Sequence, residues 1–561
     1  MIAEPTVHPE EPAGATDHDA WKLFVFRKRR EAFFTERLIG SLRQEIQSLA
    51  NGTHSALDAL VRAGEIETGL EDAGAGSPAI GRVAAVVDRL AALACGGAPP
   101  DPSSLLDCLD HLSTPATIAC SHPEGFSYYG LNPLDFADLA ARIREELAPR
   151  VAVIGIRSVG STLGAVVRAV LGAHGISVER ITVRPAGEPY RRKTVFSPEQ
   201  QDWLRARLDQ RCDFVVVDEG PGFSGSTFLS VAQALVDSGV PYSRIVLMGS
   251  RPFPLQAAGT MREREWKQFR SRTIEYASHP PSTACRNLGD GAWRELLYPS
   301  RSLWPACWVE QERVKHMSAD GRSFFKFEGF GRFGELSREQ ALELAQAGLS
   351  PRWMGSEHGY ACYEFVVGRP LAGSDLNQAQ LSRMAEYCAF RVTHFSSPSA
   401  DLAMVGAMTR NNLQVEFGGG FKDFSIELPL ERPVYPDCRM LPHEWLVDQQ
   451  GRVVKTDGVG HAEGHQLPGP ADIAWDLAGA IVEWDLAPAA RAFLLEEYRR
   501  RTGDAAGTRL RPYLLVYSVL RMSQCRMSSA SMARRREGKY LRRQYERYRE
   551  KVKELLKEFD V

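Results

Sequence analysis

The residues best suited to chemistry stand together in "FVVVDEGPGFSGSTF", from Phe214 to Phe228. Four apolar residues end on two acids, Asp218 and Glu219, and a loop of small residues follows. A loop of this kind between a strand and a helix lets backbone N–H groups approach an anion closely, and the helix N-terminus adds partial positive charge. In "GPGFSGST" the glycines Gly220, Gly222 and Gly225 leave the backbone bare, while Ser224, Ser226 and Thr227 offer hydroxyl donors, which suits a phosphate. Asp218 and Glu219 suit vicinal hydroxyls or a Mg²⁺-bound sugar better than phosphate itself. Acids and phosphate cradle together point to a phosphorylated ribose.

Such a loop needs a strand behind it and a helix ahead of it, and the surrounding chain supplies both repeatedly. "RVAVIGI" (150–156), "SVERITVRP", "DFVVVDE" and "RIVLMGS" read as buried strands, separated by "STLGAVVRAVLGAHG", "SPEQQDWLRARLDQ" and "STFLSVAQALVDSGV", which read as helices. Strict alternation implies an α/β domain with a parallel sheet covered on both faces over about 120–300. Ligands on such sheets gather at the carboxyl ends of the strands, where the acid pair lies. Ahead of it, residues 1–20 are expected to be a disordered tail and 21–119 a helical region. After it, residues 301–561 follow another plan: "RSFFKFEGF" and "YACYEFVVGRPL" read as strands around the helix "SREQALELAQAG". The chain beyond 373 reads as mostly helical.

Composition bounds the rest. At 561 residues the chain is too long for one core. Its 44% hydrophobic and 25% charged residues belong to an ordinary soluble protein, and a formal net charge of −2 provides no global basic field for nucleic acid or membrane. Ten cysteines without CxxC pairs argue for reduced thiols and a cytoplasmic protein. No apolar run approaches the ~20 residues that span a bilayer. A homodimer is compatible with all of this.

"VVVDEGPGFSGST" resembles the signature of the type I phosphoribosyltransferases, in which two acids and a small-residue loop hold the ribose 5′-phosphate of phosphoribosyl pyrophosphate. The loop here is about one residue longer than usual, with Pro221 and Phe223 inside it. The resemblance implies Mg²⁺ as cofactor, a nitrogenous small-molecule acceptor, and ribose hydroxyls gripped by Asp218 and Glu219. It implies the 5′-phosphate on Gly222, Ser224, Gly225, Ser226 and Thr227. "IGIRSVGST" (154–162) falls where the family holds diphosphate, which gives that role to Arg157, Ser158 and Gly160. "RPAGEPYRRKTVF" (184–196) falls on the family's basic flap, with Arg184, Arg191, Arg192 and Lys193 expected to neutralise the leaving pyrophosphate.

The last region resembles the aminoglycoside-phosphotransferase-like kinases through "RSFFKFEGF", the hinge-like "YEFVVGRPL" and "LPHEWLVDQQGRVVKTDGVGHAEGHQLPGPADIAWDLAGA". The resemblance gives Lys326 the nucleotide phosphates, Glu339 or Glu335 the task of holding Lys326, and Asp457 the metal, with Asp472 and Asp476 in a closing motif. It departs where catalysis needs it most. The general-base position carries Arg439, with Asp437 two residues early as a substitute base. The metal-binding asparagine becomes Glu444, and no glycine-rich loop precedes Lys326. Nucleotide binding (ATP with Mg²⁺) without efficient transfer is expected, and a non-catalytic sensor, a scaffold and a bifunctional transferase–kinase are the alternatives. His461 and His465 are spaced i, i+4, but Gly460 and Gly464 argue against the helix that would pair them on a metal. The basic, tyrosine-bearing end after Arg534 reads as a solvated helix, because glutamates recur through it.

Overall fold

The computed structural model describes residues 18–24, 26, 30–51, 55–98, 101–187, 191–221, 225–253, 259–275, 279–464, 466–533 and 535–559. The first strands, β1 (Glu31–Phe34) and β2 (Thr117–Cys120), pair as an antiparallel ribbon. Between them lie the helices Thr35–Ala50, Ala56–Asp72, Ser77–Ala94 and Pro102–Leu109. The expected parallel sheet follows, as β3 (Arg150–Ile156), β4 (Ser177–Val183), β5 (Asp213–Val217), β6 (Ile245–Gly249) and β7 (Arg270–Thr273), in the order β4-β3-β5-β6-β7. All four pairings are parallel. The edge strand β7, "RSRT", is polar and only partly buried, so no apolar run marks it in the sequence.

Strand alternation divides the sheet's side chains between two cores. Phe214 and Val216 join Ala152, Ile154 and Leu247 under the helices Pro198–Asp209 and Ser226–Asp237. Val215 and Val217 face the other way, with Val151, Val153 and Met248, onto the helix Val159–Ala173 and the N-terminal helices. The N-terminal region is therefore one cover of the parallel sheet. Polar contacts lock it there: Arg180 of β4 is buried against Glu67 (2.8 Å) and Asp88, and Thr68 shares a hydrogen bond with Ser161 (2.8 Å). Residues 1–17 of the expected tail lie outside the described residues. Just after them, His18–Lys22 forms a short 3-10 helix, and Phe24 N–H donates to Asn412 Oδ1 (2.6 Å) far along the chain.

The second sheet is antiparallel, in the order β11-β12-β10-β9-β8: β8 (Ala284–Asn287), β9 (Lys315–Ser318), β10 (Ser323–Phe327), β11 (Trp353–Glu357) and β12 (Tyr360–Glu364). It begins at 284, ahead of the expected boundary at 301. The helix Glu335–Gln346 crosses between β10 and β11. Beyond β12, β13 (Gly368–Pro370), β15 (Trp445–Asp448) and β16 (Val453–Lys455) form a small sheet, while β14 (Pro433–Val434) pairs with β17 (Ala471–Asp472). The helices Gln378–His394, Ala403–Phe417, Ala474–Glu483, Pro488–Thr502, Leu510–Ser531 and Arg536–Leu556 make up the rest of this lobe.

The final helix is amphipathic and packs on Leu510–Ser531. Buried Tyr548 donates to Glu483 (2.5 Å), Tyr545 donates to Glu416 (2.7 Å), and Glu537 accepts from both terminal nitrogens of buried Arg294. Among the described residues no helix is long and apolar enough to cross a membrane.

Gly64 and Gly40 test the N-terminal packing as a pair. A methyl on Gly64 would collide with Thr162, whereas one on Gly40 meets nothing within 4 Å. Gly64→Ala is expected to cost about 1–3 kcal/mol through overpacking. Gly40→Ala should gain up to about 1 kcal/mol from helix propensity. Thermal melts of the two variants would show opposite signs, and equal shifts would contradict this packing.

Candidate functional site

Two clusters touch the segment 122–131, one through the Gly125 N–H on Glu219 and the other through the Tyr128 ring beside Arg313. The first is at the carboxyl ends of β3 and β5, neighbours from which the chain winds in opposite directions, so that a crevice opens between their loops. Here a Cβ on Gly160 would collide with the carbonyl of Val217, which brings the two loops into contact. Ser158, a non-glycine residue at φ 104°, stands strained at the start of the Val159–Ala173 helix. Across the crevice, Asp218 Oδ1 accepts from the Glu219 N–H (2.8 Å), and Glu219 Oε2 accepts from the Gly125 N–H (3.2 Å). Gly225, at φ +62°, starts the Ser226–Asp237 helix, and a side chain there would strike Phe253. Gly222 and Ser224 lie outside the described residues, so the cradle is seen at Gly225, Ser226 and Thr227 alone.

Asp218 is half-buried at its surface, yet loss of solvent around its carboxyl dominates and pushes its pKa up to about 7. Neighbouring Glu219 pushes the same way, while the Glu219 N–H, Arg184 and Arg192 oppose it. The flap arginines are therefore close enough to act on the acid pair. The base of the flap is a bridge between Ala186 and Lys193, and Arg191 and Lys193 are exposed.

Arg157 departs from its expected place on a diphosphate. Its guanidinium pairs with Glu71 (2.6 Å) and Asp72 (3.0 Å) of the Ala56–Asp72 helix, and Arg184 also pairs with Asp72 (2.6 Å). The Ser158 N–H, expected to face the same anion, points at Thr68 Oγ1 (3.4 Å). Among the described residues no group of three or more His, Cys, Asp or Glu side chains could hold a metal. Mg²⁺ at Asp218 and Glu219 would thus have to share the oxygens of a ligand.

The second cluster faces a cavity of about 540 Å³ between the antiparallel sheet and the helical lobe, lined by Lys326, Arg439, Glu444, Asp457, Trp293 and Tyr128 among others. Lys326 reaches it from β10. Glu339 does not hold Lys326 as expected: it is exposed on its helix, as is Glu335. Glu328 (3.0 Å) and Asp457 (2.5 Å) are the carboxylates beside the Lys326 ammonium. Glu328 follows Lys326 by two residues, the spacing that returns to the same face of an extended chain, and that spacing was the available signal.

Asp437, the substitute base, is fully buried and already committed. It accepts from Tyr387 Oη (2.5 Å), pairs with Lys455 (3.1 Å), and is held well below the usual carboxylate range, Lys455 and His461 overcoming the cost of burial. Asp476 accepts from the N–H groups of Asp437 (2.9 Å) and Cys438 (3.0 Å), fixing a loop in which Cys438 takes φ +67°. That loop delivers Arg439 to the cavity wall, where its guanidinium pairs with Glu444 (2.7 Å). No free carboxylate therefore stands at Arg439, where the resemblance leads one to expect a general base. His461 is buried and satisfied, its Nδ1 at 3.0 Å from the Asp437 carbonyl and its Nε2 at 3.5 Å from Asp457; His465 lies outside the described residues.

Mg²⁺ does not fit the donors of this cleft. Glu444 lies between Arg439 and Lys455 (3.0 Å), and Asp457 between Lys326 and His461. Burial opposes ionisation of Asp457, but Lys326 and then His461 hold its carboxyl well below the usual range. The cation positions around both carboxylates are taken by side chains.

No family model and no curated protein sequence matches the chain. Among solved structures it is similar to the choline kinase LicA from Streptococcus pneumoniae (14% identity, 43% of this chain and 89% of that one, TM-score 0.27). It is likewise similar to a GDP complex of aminoglycoside 2′-phosphotransferase-IIIa (13%, 43% and 89%, TM-score 0.29). A third is macrolide 2′-phosphotransferase MphH from Brachybacterium faecium (14%, 46% and 97%, TM-score 0.27). Likeness at such TM-scores carries no weight of its own, and the reading of the cleft rests on its geometry. These comparisons lend no support to the phosphoribosyltransferase resemblance.

Asp218 gives a pH test. Its pKa, raised from 3.8 to about 7, means the folded state holds a proton that the unfolded chain releases. The stability this contributes is fully present below about pH 4 and is lost as pH rises through 7. Melting midpoints of the wild type should therefore fall relative to Asp218→Asn over that window. Parallel curves would contradict a desolvated Asp218.

Proposed function

We propose that this protein binds a nucleotide in the kinase-like cleft without transferring its phosphate, and uses that binding to regulate a ribose-phosphate site in its parallel-sheet domain. The observation that carries the reading is the replacement of a base by Arg439 beside a retained Lys326–Asp457 pair. Removing a proton from an acceptor needs a group that can take it, and a guanidinium cannot. Holding a phosphate needs cations and N–H donors, and Lys326 and Arg439 offer both at the cavity wall.

Thermal shift with ADP and with ATP tests the binding. Nucleotide at 100 times its dissociation constant should stabilise the wild type by roughly 2.7 kcal/mol, and Lys326→Ala should lose most of that shift. ATP should remain intact during long incubation with candidate alcohol acceptors. Release of ADP, abolished by Lys326→Ala, would make the protein an active kinase and overturn the non-catalytic reading.

A second reading, phosphoribosyl transfer, is favoured by the raised pKa of Asp218 beside Glu219 and a glycine-started helix. In it, Asp218 and Glu219 grip the ribose hydroxyls, Gly225, Ser226 and Thr227 hold the 5′-phosphate, and the flap cations Arg191 and Lys193 close over departing pyrophosphate. Calorimetry with phosphoribosyl pyrophosphate and Mg²⁺ is expected to give heat that Asp218→Asn/Glu219→Gln abolishes. Pyrophosphate release with any nucleobase, amine or amide would establish an enzyme, whereas no heat in either protein would remove this reading.

A further inference from the structure

Two of the three carboxylates that touch Lys326 or Arg439, Glu444 and Glu328, have a second cation in reserve. Glu444 pairs with Arg439 (2.7 Å) and also with buried Lys455 (3.0 Å). Glu328 pairs with Lys326 (3.0 Å) and also with Arg313 (3.0 Å), whose other terminal nitrogen donates to the Gly460 carbonyl (2.7 Å). Asp457 lies 2.5 Å from Lys326 and 3.5 Å from His461 Nε2. Lys326 and Arg439 line the cavity, whereas Lys455 sits behind it with no exposed side-chain surface.

A duplicated arrangement has a definite consequence. Removing one partner from a buried ion pair is costly because the other charge is left bare. Here Arg439 can turn to a ligand while Glu444 keeps Lys455, and Lys326 can turn while Glu328 keeps Arg313. Lys326 and Arg439 can thus change partners from Glu328 and Glu444 to phosphate without leaving either of these buried carboxylates bare. A divalent cation has no corresponding place: Glu444 still faces Lys455 (3.0 Å) after Arg439 turns, which leaves Asp457 a single carboxylate, and among the described residues no group of three or more His, Cys, Asp or Glu side chains could hold a metal.

We infer that Lys326 and Arg439 form a metal-free phosphate clamp, so that the cleft binds the phosphates of a nucleotide without Mg²⁺. The clamp rests on the proposed nucleotide reading and adds to it the chemistry that holds the phosphates. Arg439 suits the task because its planar fork can give two parallel hydrogen bonds to a phosphate.

Calorimetry on the full chain tests this with ADP and adenosine, each in excess EDTA and in excess MgCl₂. ADP is expected to bind with the same affinity in both, within about threefold, and more tightly than adenosine. Arg439→Gln should weaken ADP by about tenfold or more, leave adenosine unchanged, and be only partly rescued by Arg439→Lys, which keeps charge but loses the fork. ADP binding that vanishes in EDTA and returns with MgCl₂ would overturn the inference alone, and this arm needs no variant to fold. Equal affinity for ADP and adenosine would overturn the clamp while leaving nucleoside recognition intact. Failure of both ligands under both conditions would overturn the nucleotide reading and the clamp with it.

Discussion

Lys455 has no solvent-exposed side-chain surface, and its ammonium is held by Asp437 Oδ2 (3.1 Å), Glu444 Oε2 (3.0 Å) and the Asp457 carbonyl (2.6 Å). A charge taken this far out of water is tolerable only when fully partnered. Those partners come from three stretches: the loop before β15, the turn into β15 and the turn after β16. Buried Arg391 adds to the same network through Tyr387 and the Gly458 carbonyl, and Asp476 clamps the backbone at Asp437 and Cys438. One buried ammonium thus fixes the floor of the cleft, and with it the direction of Arg439 into the cavity. Its cost is that Asp437 can no longer act as a base.

The segment 122–131 ties this floor to the parallel sheet. Its Gly125 N–H donates to Glu219, and the Tyr128 ring lies under the Arg313 guanidinium and against Gly464. Arg313 in turn pairs with Glu328, the partner of Lys326. The acid pair and Lys326 are thereby linked through contiguous contacts, the physical route by which the proposed nucleotide binding would bias the other site. The N-terminal helices bear on that site from the other side, because Glu71 and Asp72 draw Arg157 and Arg184 toward themselves.

Much of this fold was legible because period and punctuation agreed. The strands β3 to β6 are short apolar runs, the helices between them carry the right spacing, and Gly225 marks a left-handed turn that only a residue without Cβ fits against Phe253. What stayed hidden was set by tertiary contact. The polar edge β7 has no apolar signature, and β8 belongs to a sheet whose other strands lie more than twenty residues away. Lys326 is recognisable from its strand, but the resemblance points to the following helix for its partner, whereas alternation along the same chain supplies Glu328. Arg157 read as an anion ligand because nothing local reveals that the acids of a helix some 85 residues earlier reach it. Lys455, a charged residue in an apolar strand, gave no hint of its burial, since its partners are brought together only by folding.

Hydrogen–deuterium exchange of the full chain with and without saturating ADP in EDTA tests the central claim most directly, that a nucleotide seats on Lys326 and Arg439 in the cleft. The account predicts slowed exchange of backbone amides at 326–329, 438–446 and 455–461, with a weaker echo through 122–131. Protection confined to the loops after β3 and β5, or absent everywhere while ADP demonstrably binds, would contradict it.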